Sequence, residues 1–533
     1  MDLVYNFLLA DKVGIMDKDT VKKTHELLHQ VHRYTKQYYH SVTLCNRKRT
    51  DKIFGPLCFE YTLKDLLLIG ALTESPVLLT GGTDLGKTTL ARLFNNSLFG
   101  KEEVGWHRLD FDLDFGKDSY TNIKSDFFQE SGQTLDDLYS AHKWLMLPGF
   151  IADELNGAHP KIIRKALHIF KEKDITLPNA TRVKIGTPIG MGHTYQFQIA
   201  TINEGLGYDG TFSLDKALRR RTTIEIPMDI FKPSPYDRLA LQQNKKRALS
   251  LENDISYLED VLCVYRAINS QLSIGSEAEM YLSFLESFEY CANSITGNKD
   301  SLISNNGTID HICSAPPTGE LLNSEAACRY LKIFPKSLCP NVRGITPGIS
   351  EDLIMVSKGF ALLRAVKFVE LVHAAKTNNT FFLNNAGIKS SEKFIELCKS
   401  YSKNSKDIYK GAIDQYIENL EVDYLDIINA APFVGYSKIG ITEPWVFKNF
   451  QGNKFEAIKF FIDEATKKYK EGLQKIVVQT QPNNTSIRDI SPEDLQDVLR
   501  YCEDSNPWMG RVIEPYFIDT PDRDEEDIVG LYD

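Results

Sequence analysis

The sequence predicts an α/β chain: a parallel-sheet core in its first half and a mostly helical remainder. Three observations predict it. Over residues 76–94 an apolar strand, a glycine-bearing loop and a helix start follow one another. A second apolar run, residues 148–152, ends in Asp153 and Glu154. From Pro233 onward, apolar residues recur mostly at helical spacing.

The loop comes first because its chemistry is the most specific. Gly81, Gly82, Thr83, Asp84, Leu85, Gly86, Lys87, Thr88 and Thr89 follow the apolar residues Val77, Leu78 and Leu79. Gly81, Gly86, Lys87 and Thr88 complete the pattern G-x-x-x-x-G-K-[ST]. Glycines let the backbone bend so that successive N–H groups point at phosphate oxygens. A helix starting near Lys87 adds its positive end. Lys87 is expected on the β/γ-phosphates, and Thr88 offers a hydroxyl to Mg²⁺. A chance glycine loop is the alternative, and the strand before and helix after it weigh against that.

Composition bounds the rest. The chain has 533 residues, 42% hydrophobic and 25% charged, with a net charge of −10. That length suits about three domains. The acidic balance gives no global field toward nucleic acid or anionic membrane, although a local basic patch stays open. No apolar run reaches the ~20 residues of a membrane span. The N-terminus, with Asp2, Asp11 and Asp17, lacks a basic leader region. A cytoplasmic chain is the expectation. The nine cysteines form no C-x-x-C pair and read as reduced thiols. His311, Cys313, Cys328 and Cys339 lie close in sequence but lack a recognised zinc spacing.

Taken in order, residues 1–57 read as a helical N-terminal segment, with Leu27, Leu28, Val31, Tyr34 and Tyr38 as its apolar stripe. Arg47, Lys48, Arg49 and Lys52 form a basic knot, read as a solvated turn or, more sharply, a nucleic-acid patch. His25, His29, His32 and His40 lack acidic or cysteine companions and read as surface histidines. Residues 65–72 predict a helix and residues 106–115 a second strand. At residues 149–154 two carboxylates close a buried strand, the end where open α/β sheets bind nucleotides. Asp153 is expected to hold Mg²⁺ through water, and Glu154 to polarise an attacking water. Residues 161–170 predict an amphipathic helix and residues 174–197 a hairpin. Residues 197–203 predict a strand ending in Asn203. A helix then closes in Arg219, Arg220 and Arg221, and residues 222–226 give the next strand. For the arginine trio a solvated helix end is the alternative, since cations suit that end of the dipole.

Four of these stretches carry a family resemblance. Ala152-Asp153-Glu154-Leu155-Asn156 through Pro160 resembles the acidic motif of MoxR-like AAA+ ATPases. Ala200-Thr201-Ile202-Asn203 is similar to that family's sensor strand, and the stretch from Asp209 to Arg221 to its segment ending in an arginine. With the loop, four motifs agree in order and spacing across residues 58–230. The resemblance implies an AAA+ core, ATP with Mg²⁺, and a homo-hexameric ring with sites at subunit boundaries. It implies that Asn203 positions the lytic water, and that Arg221, or its neighbour Arg220, reaches the next subunit's γ-phosphate. It also implies remodelling or activation of a protein client, such as a von Willebrand A domain protein. The chain departs from the family at Gly82-Thr83-Asp84-Leu85, at Gly157 and at Thr222. Where the family has Ser-Pro-Arg at the start of its lid, this chain has Ser350-Glu351-Asp352. A second sensor arginine would then come from elsewhere, for instance Arg343 or Arg364.

Residues 231–380 read as a helical lid interrupted by a Ser, Asn, Gly and Pro-rich insertion at 298–349. Residues 350–375 form its long helix. Residues 381–520 read as a helical C-terminal region, with helices at 391–399, 409–429 and 454–479 and a capped start at Ser491. Residues 521–533 read as an acidic disordered tail. The expected function is ATP hydrolysis coupled to a protein partner. Two other readings stay open: a nucleotide-controlled binding switch with slow turnover in a defence or signalling complex, and a restriction-type NTPase subunit acting on nucleic acid. The acidic balance weighs against the last.

Overall fold

Five short strands assemble into one parallel sheet. They are β1 (Val77–Thr80), β2 (Trp106–Asp110), β3 (Gly149–Asp153), β4 (Phe197–Thr201) and β5 (Ile224–Pro227), in the order β5-β1-β4-β3-β2. Every pair is parallel. Such sheets are covered on both faces, so their strands read as continuous apolar runs rather than alternations. Accordingly, β1, β3, β4 and β5 are buried along their whole length. The register aligns Ala200 with Ala152 and Asp110 with Asp153, so the strands end together at one carboxyl edge. The computed structural model describes residues 16–35, 43–45, 48–51, 54–110, 121–123, 139–157, 168–177, 180–204, 216–231, 235, 239, 254–286, 347–402 and 405–480. They fall into two compact units, one drawn from Met1–Ile274 and Glu351–Lys438, the other from Gly275–Ser350 and Ile439–Asp533.

In the first unit, one face of the sheet packs a cluster that includes Leu78, Phe150, Ala152, Trp144, Phe170 and Ile202. Helix α2 (Leu63–Leu72) is buried at every residue, its eight non-charged positions together with Lys64 and Asp65. A capping box between Thr62 and Asp65 starts it. Gly70 is required there, because a Cβ would stand 2.7 Å from Val77 Cγ2. Helix α1 (Lys18–Tyr34) packs on α3 (Lys87–Phe99) and on α5 (Leu258–Gln271). Between β4 and β5 lies the short α4 (Lys216–Arg221). The long α7 (Pro347–Lys376) approaches α2 closely at Gly359, whose added Cβ would meet Ile69 at 2.6 Å. Helices α8 (Thr380–Asn385), α9 (Ser391–Tyr401), α10 (Ile408–Glu418) and α11 (Tyr424–Val434) complete this unit. The second unit holds α6 (Ser276–Glu286), α12 (Glu443–Phe450) and α13 (Lys454–Thr480). Its core packs Tyr281 edge-on and Phe284 tilted against Tyr469, and the Tyr281 and Thr466 hydroxyls share a 2.8 Å hydrogen bond.

The α/β core and the helical chain after it are as the sequence predicts, and several elements differ in detail. Among the described residues of 1–57, α1 is helical as expected. Thr43–Cys45 then pairs with Tyr61–Thr62, and Lys48–Asp51 with Gly55–Cys58. The reason is a period of two: Leu57, Phe59 and Tyr61 are buried, while Cys58 and Glu60 between them are not. Lys48 and Arg49 of the basic knot therefore lie on a strand. The hairpin expected at 174–197 is two hairpins, Asp174–Thr176 with Arg182–Lys184 and Thr187–Gly190 with His193–Tyr195. The helix expected over 409–429 is two, because Asp423 caps a new helix with a capping box to Asp426. His25 and His32 are ion-pair partners of Glu370 and Asp65. The helix at 161–167, the four residues weighed for zinc, Ser491 and the acidic tail lie outside the described residues.

Candidate nucleotide site

At the carboxyl edge of β1 the backbone is built around glycine conformations. Gly81 has φ +133° and Gly86 has φ +74°, both in the region glycine tolerates. A side chain at Gly81 would also meet the Asp229 carboxylate at 2.9 Å. Gly86 is the N-cap of α3 and contributes no side-chain cap, so the helix's first N–H groups face the loop uncapped by it. Thr83 and Asp84 are exposed, Asp84 with φ +61°. Gly82, Leu85, Thr88 and Thr89 are half-buried, and Leu85 packs against Gly81.

Lys87 is buried, and its Nζ donates to the carbonyls of Gly81 at 2.8 Å and Gly82 at 2.5 Å. Burial pulls its pKa below the ordinary lysine value, opposed by the nearby carboxylates of Asp229, Asp153, Glu154 and Asp84. An ammonium held on carbonyls and ringed by anions is a charge kept in place for an incoming anion.

The acidic pair of β3 splits in two. Asp153 ends the strand, buried, and its Oδ1 accepts from the Thr88 hydroxyl at 2.7 Å and the Thr201 hydroxyl at 2.5 Å. Arg108, on the neighbouring β2, places its Nε 3.1 Å from Asp153 Oδ2. Glu154 then turns the chain with φ +50° and is exposed. Its N–H donates to Thr201 Oγ1 at 3.0 Å, so one threonine braces both carboxylate residues. Asn203, just beyond β4, donates from Nδ2 to Glu154 Oε1 at 3.2 Å. Asn203 is itself fixed by a reciprocal pair with Asn156: its N–H donates to Oδ1 at 3.1 Å, and its carbonyl accepts from Nδ2 at 2.7 Å.

The arginine trio divides as well. Arg219 is ion-paired with Glu204 and with the buried Glu225. Arg221 donates to Glu172 at 3.0 Å, while Arg220 is exposed. Arg364 is buried deep in its unit: it pairs with Asp426 at 2.9 Å and donates to Tyr416 and the Glu421 carbonyl. It is a packing residue of α7, and Arg343 lies outside the described residues.

The residues present fit both a polyphosphate and a divalent cation, and two side chains already stand in for them. The Gly82 N–H donates to both Asp229 oxygens at 3.2 Å, so the loop binds an anion. Asp153 holds a cation, the Arg108 guanidinium. The structure thus brings together Gly81, Gly82, Lys87, Thr88, Asp153, Glu154 and Asn203. Sequence reasoning missed Arg108, Asn156, Thr201 and Asp229 as site residues. Thr201 and Asn156 sat inside quoted motifs; Arg108 gave no signal, because the strand was expected to run on to residue 115. Asp229, 147 residues from Gly82, gave none. Elsewhere among the described residues, His168, Glu172 and Asp174 could gather around a metal ion, but Arg221 and Arg182 already pair with two of them.

No protein-family model matches the chain, and no curated protein matches it. Among solved structures the chain is similar to a candidate ATPase from Cytophaga hutchinsonii, at 15% identity and a TM-score of 0.40. That likeness covers 65% of this chain and 84% of that one. No helix among the described residues is long and apolar enough to cross a membrane.

Proposed function

We propose that this chain binds and hydrolyses ATP as a MoxR-like AAA+ ATPase. The observation that carries the reading is the hydrogen bond between Thr88 of the loop and Asp153 of the acidic pair. It supports the reading because it joins the glycine-bearing loop to the carboxylate that ends β3, at the sheet edge where open α/β sheets bind nucleotides. Thr88 and Asp153 would hold Mg²⁺, which supplies positive charge to the β- and γ-phosphates when bound. Lys87 and the N-terminus of α3 hold the phosphates. Glu154 orients the attacking water and accepts its proton, and Asn203 fixes the Glu154 carboxylate. An arginine of α4, Arg220 or Arg221, completes the neighbouring subunit's site in a hexameric ring. The ring's work is to remodel or activate a protein client, with a von Willebrand A domain protein as the first candidate. Residues 231–380 act as the lid in this scheme, and the chain works in the cytoplasm.

Two outcomes test the site directly. Lys87→Ala should weaken ATP binding by roughly 10–100-fold, the scale of a lost hydrogen bond to a charged group. Fluorescent-nucleotide titration checks it, and unchanged affinity would remove Lys87 from the site. Asp229→Asn takes a tethered anion away from the loop. Nucleotide should then bind up to about fivefold more tightly, since an exposed ion contact is worth about 0.2–1 kcal/mol. Weaker binding in the same titration would instead make Asp229 a ligand-holding group.

A further inference from the structure

Asp153 has two oxygens with different fates. Oδ1 is taken by the Thr88 and Thr201 hydroxyls at 2.7 and 2.5 Å. Oδ2 faces Arg108, whose Nε stands 3.1 Å away. The carboxylate is 4% exposed and the guanidinium 30%, so water screens this contact only in part. The same guanidinium also reaches Asp110, with Nε and Nη2 at 2.8 and 2.7 Å from Oδ1. Asp110 and Asp153 are register partners on β2 and β3, so Arg108 bridges two carboxylates at the edge where the loop ends.

We propose that Arg108 is the resident counter-ion of the metal-holding carboxylate, a positioning residue that bars free divalent cations and admits them only together with a polyphosphate. This rests on the ATP-site reading above. A divalent cation beside Thr88 and Asp153 would set its charge a few ångströms from a permanently charged guanidinium. Free in water, such an ion gains one carboxylate oxygen and meets that repulsion. Arriving with a polyphosphate, it brings negative oxygens that neutralise the excess and can receive the guanidinium. Asp110 keeps Arg108 tethered at the site while Oδ2 is vacated. Cation and nucleotide therefore bind cooperatively, and by linkage each raises the other's affinity by the same factor.

The test titrates Mn²⁺ into the full chain and reads free Mn²⁺ by electron paramagnetic resonance, with and without a non-hydrolysable ATP analogue. Wild type should bind Mn²⁺ at this site at least tenfold more tightly with the analogue. Arg108→Gln should bind it more tightly without nucleotide and so shrink that ratio below the wild-type one, while Arg108→Lys, which keeps the charge, should restore the exclusion. Asp153→Asn in the glutamine background should abolish the gained site. Equal Mn²⁺ affinity in wild type with and without the analogue overturns the proposal, even if the glutamine variant does not fold. So does a glutamine variant that folds and keeps the wild-type ratio. Failure of wild type to bind the analogue at all would instead strike the ATP-site reading.

Discussion

Glu154→Gln should bind ATP with near-wild-type affinity and turn it over about 10²–10⁴ times more slowly, the usual contribution of a positioned general base. The amide keeps the shape of the side chain, and its oxygen can still accept from Asn203 Nδ2, which donates to Glu154 Oε1 at 3.2 Å. It cannot take a proton from water. Glu154 is exposed and lies outside the Thr88–Asp153 contact, so its loss should not weaken phosphate or metal binding. Steady-state phosphate release and fluorescent-nucleotide binding, measured together, separate the two effects. Equal hydrolysis rates in both proteins would remove Glu154 as the base. Loss of binding would show that its charge serves the nucleotide rather than the water. Asn203→Ala should follow in the same direction by a smaller factor, because it orients the carboxylate without touching the proton.

Most of this site was legible because its parts are short and contiguous. The loop needs a glycine at φ +133°, another at φ +74° and a lysine directly after, and the chain supplies them in order. The strands were legible because a sheet buried on both faces leaves apolar runs such as Val77–Thr80. What stayed hidden is what meets across long stretches of chain. Asp229 reaches Gly82 only because β5 and β1 are neighbours, which brings Met228 against the Thr80 carbonyl at 2.8 Å. Arg108 reaches Asp153 only because β2 and β3 pair in register. The short strands before α2 hid for another reason. Residues 43–58 are too few and too polar to show a period, and the basic run masked the alternation that begins at Leu57. In the split of 409–429, helical periodicity ran straight through a boundary that Asp423 sets by capping.

The arginine trio carries the other large effect. If a ring forms, an arginine from one subunit stabilises transition-state charge in the next, a device worth roughly 10³–10⁵ in rate. Arg219 is held by Glu204 and by the buried Glu225, so its loss should harm folding before it harms catalysis. Arg221 is engaged with Glu172 of its own chain, whereas Arg220 is exposed. An exposed pair such as Arg221–Glu172 opens for about 0.2–1 kcal/mol, so it handicaps Arg221 without disqualifying it. The expected result is that Arg220→Ala keeps ATP binding and loses at least about 10³ in turnover, while Arg221→Ala loses much less. Mixing Arg220→Ala with Lys87→Ala should restore part of the activity, because some boundaries then join an intact loop to an intact arginine. If Arg221→Ala is the inactive variant, the Glu172 contact must open on assembly, and Glu172→Gln should then raise turnover by freeing the guanidinium. If mixed rings form and stay inactive, the arginine acts within its own subunit. If the ATP-bound protein hydrolyses while sedimenting as a monomer, no neighbour is needed and the ring fails, since a head-to-tail interface of this kind completes a site only where two subunits meet.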